Sequence, residues 1–342
     1  MSERWLYTFE ELGKEHNDMV GKKCAYLGEM AKIGLPVPQG FALSLDAYRK
    51  FMGITGATEE VAACIECGND SLECIAGVNE LSRAIRRTVE SKPMPREMEE
   101  TIGSHYEHMS ARCGVAELPV SARSAGALSR PGQYETHLNV KGKADLIEKI
   151  KKVWSSTYNP TSLSFRHKGG LRLESDPIGV AVLRMVNARV AGIVFTADPN
   201  TGDTSRMMIE ANWGLGESVV GGESMPDTYI VEKKTFKVLE KRLGTKSRIV
   251  VPSEKGTVEK QTPEEMACRF CLSDEEVAEI AKTGVRLEKH FGLPQDVEWA
   301  IDGDLSFPDA VVLLQTRAEV LAKKKEPVDQ LLDMMMSRFI RL

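Results

Sequence analysis

Three stretches of this 342-residue chain combine charge, glycine and oxygen ligands in a way that a plain scaffold does not need. The first is PVSARSAGALSRPGQYETHLNV, from Pro119 to Val140. Gly126 and Gly132 free backbone N–H groups to approach phosphate oxygens closely, and Arg123 and Arg130 supply positive charge beside them. Ordinary turns also use glycine, so the loop alone admits both readings. Its spacing is neither a Walker P-loop nor a Rossmann fingerprint. The second stretch is DVEWAID, followed by LLQTRAE. Side chains alternate along a strand, so Asp296 and Glu298 share one face, as do Gln315 and Arg317. Two such strands joined by a hairpin at Asp302–Ser306 offer oxygen ligands for Mg2+ and a clamp for a polyphosphate. A cross-strand ion pair is the alternative reading. The third stretch is MMIEANWGLGESVVGG, where Glu210 ends an apolar strand and leads into glycine-rich turns that form either a rigid wall or a moving lid.

The molecule as a whole does not gather anions. Its formal net charge is −5, so nucleic acid and anionic membranes are not expected partners, and an anionic ligand must be held by locally concentrated cations. No apolar run reaches the roughly 18 residues of a membrane span. The best candidate, PIGVAVLRMVNARVAGIVF, is broken by Arg184, Asn187 and Arg189, and MSERWLYTFEEL lacks a signal-peptide core, so the chain reads as cytoplasmic. Seven cysteines argue against a secreted disulfide framework. Cys64 with Cys67 and Cys268 with Cys271 form two C-x-x-C pairs, far apart and without turn glycines. Reduced cysteines packing as small apolar residues are preferred to a zinc site.

Elements that would position these groups are legible along the chain. KKCAYLGEMAKIG has helical spacing and stops at Gly34. LPVPQGFALSL reads as a turn and strand, LDAYRKFM as a helix, and residues 55–113 as a polar helical elaboration with caps at Asn79 and Pro95. From about residue 118 short β-type runs take over: LPVSAR, ETHLNV, IGVAVLRMV, VAGIVFTA, RMMIEA, DTYIVE, FKVLEKRL, QDVEWAID and DAVVLLQTR. Helices over 143–156 and 273–291 are the main interruptions. An α+β architecture with antiparallel sheets follows, divided as 1–117, 118–320 and a basic linker with an amphipathic tail over 321–342. In that tail Leu331/Leu332, Met335/Met336 and Phe339/Ile340 recur every four residues, which suits packing on the chain itself or docking on another subunit.

In their order, these blocks resemble the nucleotide-binding domain shared by phosphoenolpyruvate synthase, pyruvate phosphate dikinase and the rifamycin phosphotransferases. The likeness runs from about residue 15 to 320. It rests on GKKCAYLGEMAKIGLPVPQGF, VSARS, GQYETHLNV, GIVFTADPNTGD, IEANWGLGESVVGGESMPDTYIVE, DVEWA and LLQTRAE. The resemblance implies an ATP-grasp fold of two α+β subdomains closing over ATP. Lys23 falls at the family's ATP lysine and Arg123 at its triphosphate arginine, while Gly132 and Thr136 fall at the nucleotide. Glu298 and Gln315 match Mg2+-proximal groups, with Asp296 beside them, and Arg317 matches a phosphate contact. Glu210 is carried as a further nucleotide-binding candidate, and Lys23, Arg123 and Arg317 as the catalytic cations. Three departures stand out. Lys22 and Cys24 occupy positions usually held by glycine, the segment between Arg123 and Gly132 is short and lacks its acidic pair, and Leu183 replaces a nucleotide-contacting glutamine.

Family enzymes pass phosphate from ATP to a histidine on a swivelling domain and then to an acceptor. None of His16, His105, His108, His137, His167 and His290 has that histidine's setting. His137 is expected to be a packed side chain, and His105 and His108 to be surface residues. The reading that follows is an ATP-binding subunit whose partner carries the phosphohistidine, most like that of phenylphosphate synthase. The overall reaction it implies converts ATP, phenol and water to phenylphosphate, AMP and orthophosphate. Alternatives are a pyruvate- or antibiotic-directed subunit, a non-catalytic nucleotide sensor, and a stand-alone ligase forming an acyl phosphate and ADP.

Overall fold

The computed structural model describes residues 4–68, 72–127, 133–222 and 224–319. The amphipathic tail, together with Arg130 and Gly132, lies outside the described residues. Two compact units are built from interleaved stretches. The first takes the described parts of 1–188, 250–260 and 301–315, and the second those of 189–249, 261–300 and 316–342. The point 117/118 falls inside the first unit.

In the first unit, β1 (Leu6–Thr8), β2 (Gly40–Leu43), β3 (Val120–Ala125), β4 (Thr136–Val140) and β5 (Gly179–Arg184) form one sheet in the order β1-β2-β5-β3-β4. Each recorded pairing is antiparallel. The helices are α1 (Asn17–Val20), α2 (Lys22–Lys32), α3 (Leu45–Ile54), α4 (Ala57–Gly68), α5 (Ile75–Ser91), α6 (Arg96–Arg112), α7 (Lys143–Ser155) and α8 (Pro160–Lys168). Leu81, Ile85 and Val89 recur at helical spacing on α5, as Met98, Ile102, Tyr106 and Met109 do on α6. All are buried in one core with Phe41, Val120 and Val182 from the sheet. Trp154 of α7 packs against Phe51 of α3 at 5.0 Å between ring centroids; burying a side chain of this class is worth roughly 1.5–3 kcal/mol. The helical elaboration is thus a wall of the sheet's own core. Its α5 cap is Cys74, whose Sγ accepts from Gly77 N, and Asn79 lies inside the helix; Pro95 does cap α6.

The second unit is organised on a six-stranded sheet, of which residues 301–315 are counted with the first unit. Its strands are β6 (Ala188–Phe195), β7 (Arg206–Trp213), β8 (Asp227–Glu232), β9 (Val238–Arg242), β12 (Gln295–Asp302) and β13 (Val311–Ala318), in the order β13-β12-β6-β7-β8-β9. A separate two-stranded ribbon, most of it counted with the first unit, pairs β10 (Arg248–Pro252) with β11 (Thr257–Gln261). Helices α9 (Glu217–Val220), α10 (Glu264–Ala267) and α11 (Asp274–Phe291) complete it. Ser273 starts α11 with a capping box through Glu276, and Gly292 ends it in the left-handed conformation. At the base of β8, Asp227 and Lys246 form an ion pair with both side chains fully buried. Asp227 also accepts from Gly244 N and Cys271 N, each at 2.9 Å. Such a charge pair is tolerable only because its remaining lone pairs are satisfied.

Candidate nucleotide site

The first unit brings its expected groups to one end of its sheet. Arg123 on β3 lies directly opposite Thr136 on β4, and opposite Ala181 on β5. The Arg123 guanidinium, half-buried, donates to Leu314 O at 3.3 Å, next to Gln315. Lys22 N donates to Gly126 O at 3.0 Å, which ties the start of α2, and with it Lys23, to the end of β3. Gly21 makes this approach feasible. Its φ is +82°, and a Cβ there would lie 1.9 Å from Ala125 O. Strand pairing, one backbone hydrogen bond and the Arg123 side chain therefore tie Thr136, the start of α2 and the Gln315 end of β13 to β3. Gln315 Oε1 is buried and has no hydrogen-bond partner among the described residues, so an acceptor is available there for a cation or donor.

The departures from the family pattern have local consequences. Cys24 is fully buried on α2, and burial raises its thiol to about 12 despite Lys23. It acts as a small apolar residue. Lys22 places its ammonium 5.2 Å from the centre of the Tyr26 ring, one turn on. Leu183 is a core residue of β5, opposite Gly40 and Ser121, and offers no polar contact. Asn139, in the family-like stretch GQYETHLNV, is buried at φ +53° and donates to Ser253 O and Gly256 O, a structural anchor.

The second unit pairs one guanidinium with a carboxylate that has other carboxylates near it. Arg317 donates from Nε to Asp296 Oδ2 at 2.7 Å, and its Nη2 lies 2.6 Å from the same oxygen. The ion-pair reading thus holds for Asp296. Its carboxylate is buried and engaged; of the other acids on β12, Asp302 pairs with Arg184 and Glu298 lies on the same face as Asp296. Burial raises the Asp296 pKa and outweighs the opposing pull of Arg317, with Glu298 raising it further. Glu210 on β7 is half-buried, and burial followed by Asp296 raises its pKa too. Glu319, which accepts from Ala197 N at 3.1 Å, is pushed up to about 7, chiefly by burial. Sequence reasoning missed Glu319. The available signal was that Gln315, Arg317 and Glu319 alternate onto one strand face.

Carboxylates gathered near Asp296 suit a hard cation. Among the described residues no three His, Cys, Asp or Glu side chains form a ready-made metal cage. Mg2+ does not need one, since it is usually taken by one or two carboxylates together with phosphate oxygens and water. Asn212 fixes the glycine-rich stretch after Glu210. Its amide donates to Ser218 Oγ and Arg248 O, and its Oδ1 accepts from Trp213 N. That favours a wall at this end of the segment.

Other expectations divide. His108 is exposed, but His105 is half-buried, with its ring 5.8 Å from Phe41 and its Nδ1 at 2.9 Å from Thr101 O. His137 is half-buried, its Nε2 lying 3.4 Å from Glu135. Cys271 is buried and Cys64 half-buried, whereas Cys67 and Cys268 are exposed. Only one member of each C-x-x-C pair therefore packs as an apolar residue. No helix among the described residues is long and apolar enough to cross a membrane.

Comparison with known proteins places these features. Residues 17–337 match the family described as pyruvate phosphate dikinase, AMP/ATP-binding domain. A probable phosphoenolpyruvate synthase of Methanocaldococcus jannaschii is 36% identical over 88% of this chain and 26% of its own length. The phosphoenolpyruvate synthases of Aeropyrum pernix and Pyrococcus furiosus are 34% and 33% identical over 96% of the chain, and over 44% and 46% of their own lengths. The chain thus spans between about a quarter and a half of these relatives. ATP with Mg2+ is the usual cofactor pair of that family. With an α+β fold of antiparallel sheets and a match over nearly its whole length, the chain belongs to the pyruvate phosphate dikinase AMP/ATP-binding domain family.

Proposed function

We propose that this chain is the ATP-binding catalytic part of a dikinase-type phosphotransferase, which cleaves MgATP to AMP and orthophosphate and phosphorylates a histidine carried on a partner subunit. The observation that supports this most directly is Arg317 clasped by the buried Asp296 on the strand that also carries Glu298, in a domain family that binds AMP or ATP.

Under this reading Lys23, Arg123 and Arg317 neutralise the triphosphate, and Gly132 and Thr136 cover the phosphates. The charge that accumulates on the departing phosphoryl group meets cations already held in place, and preorganised cations are where most of the rate enhancement of phosphoryl transfer arises. Glu298 and Gln315 hold Mg2+, with Glu210 near the nucleotide, while Asp296 orients Arg317. Bound Mg2+ supplies charge neutralisation at the phosphate oxygens. Phenol is the final acceptor that the resemblance to phenylphosphate synthase suggests. Pyruvate is the alternative, favoured by the names of the relatives.

The test combines the full chain with a partner protein bearing the phosphohistidine motif and follows ³¹P signals with phenol or pyruvate supplied. AMP and orthophosphate are the expected products, and ADP would overturn the dikinase assignment. Glu298→Gln is expected to lower turnover by about a hundredfold or more, in line with losing one preorganised electrostatic group. Unchanged turnover would make the chain a nucleotide sensor instead.

A further inference from the structure

The side chains behind Arg317 form a polar chain linking three strands in the interior of the sheet. Thr316 on β13 is buried, and its Oγ1 donates to Gln295 Oε1 of β12 at 2.9 Å. Gln295 is also buried, and its Nε2 donates to Leu293 O and Pro294 O, so the amide cannot turn its oxygen away from Thr316. Gln295 N in turn donates to Thr196 Oγ1 at 2.8 Å, and Thr196 N donates back to Gln295 O at 2.9 Å. Thr196, fully buried, directly follows β6. One residue along, Asp296 clasps Arg317. Two consecutive residues of β12 therefore grip two consecutive residues of β13, one side chain on each face.

β13 is an edge strand with β12 as its only neighbour in the sheet order. A one-residue slip in strand register would carry every side chain to the opposite face. Glu319 N donating to Pro294 O adds one further bond at the strand's end. Hydrophobic alternation specifies this register weakly near Arg317, because residues 314, 315 and 317 are all half-buried. A slip here would bury the guanidinium and expose Thr316.

We propose that Thr316, Gln295 and Thr196 are positioning residues: their buried hydrogen-bond chain fixes the register of β13 and so aims the Arg317–Asp296 pair at the nucleotide phosphates. The proposal rests on the reading of Arg317 as a phosphate contact, and its test separates the two.

ATP affinity is measured by calorimetry on the full chain for Thr316→Val, Thr316→Ser, Arg317→Lys and the Thr316→Val/Arg317→Lys double variant. Valine keeps the shape and leaves Gln295 Oε1 unpaired. The expected loss of ATP affinity is about tenfold, within the range for one buried acceptor without its donor. Serine restores affinity to within about twofold of the parent by remaking the same single bond. In the Arg317→Lys background, where the two-pronged grip on Asp296 is already gone, the valine substitution is expected to cost less than about twofold. Unchanged affinity in a folded Thr316→Val protein overturns the proposal, as does an equal loss in both backgrounds. If Arg317→Lys itself binds ATP like the parent, the role of Arg317 fails instead. Should Thr316→Val not fold, Thr196→Val, which removes the acceptor for Gln295 N, decides by the same criteria.

Discussion

Replacing Glu319 by glutamine should change how the stability of this protein depends on pH, in a direction the structure dictates. The Glu319 carboxyl is partly buried beside Asp296 and Glu288, with Ala197 N as its hydrogen-bond donor, and is raised from an ordinary 4.5 to about 7. The folded protein therefore keeps this proton between pH 4.5 and 7, where the unfolded chain has released it. The contribution is fully present below pH 4.5 and is lost as pH rises toward 7. At 1.36 kcal/mol per pH unit the full displacement corresponds to at most about 3 kcal/mol. The group is only partly buried, and screening by solvent reduces the expected effect to roughly 1–2 kcal/mol. Glutamine offers Ala197 N the same acceptor without the titration. Urea unfolding of parent and Glu319→Gln across pH 4.5 to 7.5 gives the difference directly, since other titrating groups cancel between the two. The parent's stability relative to the variant should fall by roughly 1–2 kcal/mol across that window. A difference that stays flat, or that rises with pH, would refute the placement of a partly buried acid beside Asp296.

Two further outcomes follow. Lys246→Met should lower stability by about 3–5 kcal/mol in chemical unfolding, because Asp227 is left charged and fully buried, and the double variant with Asp227→Asn should recover part of the loss. Gly21→Ala should cost more than about 2 kcal/mol and weaken ATP binding measured by calorimetry. A side chain there faces both a positive φ and the Ala125 carbonyl, so the start of α2 must move and take Lys23 with it.

Much of the architecture is written in local pattern. α2, α3 and α11 show helical spacing, with side-chain caps at Ser44 and Ser273 and a left-handed Gly292 closing α11, and Arg123 lies in a β-type run that did become a central strand. The ribbon of β10 and β11 escaped notice because its strands are largely exposed, so no alternation of apolar and polar residues marks an inner face. α8 carries only a weak apolar stripe, yet Asn159 followed by Pro160 was a usable start signal, and Asn159 does accept from Ser162 N. At the site, spacing placed Asp296 and Glu298 on one face correctly. It could not decide which acid would be engaged by Arg317, because that depends on the register between two strands. Nor could it find Thr316 and Gln295, whose importance lies in being buried polar groups rather than in their residue types.

Between its two compact units the backbone crosses at 188/189, 249/250, 260/261, 300/301 and 315/316. Neither unit is a continuous segment of the gene, so a chain cut after residue 300 loses residues of both. On the ribosome, neither can be completed before β12 and β13 have emerged, because residues 295–318 contribute to each. The five-stranded sheet under α3 to α7 needs neither strand: its core runs from Trp5 to Val182, so it can close once β5 has emerged, while the rest of the first unit is still to be made.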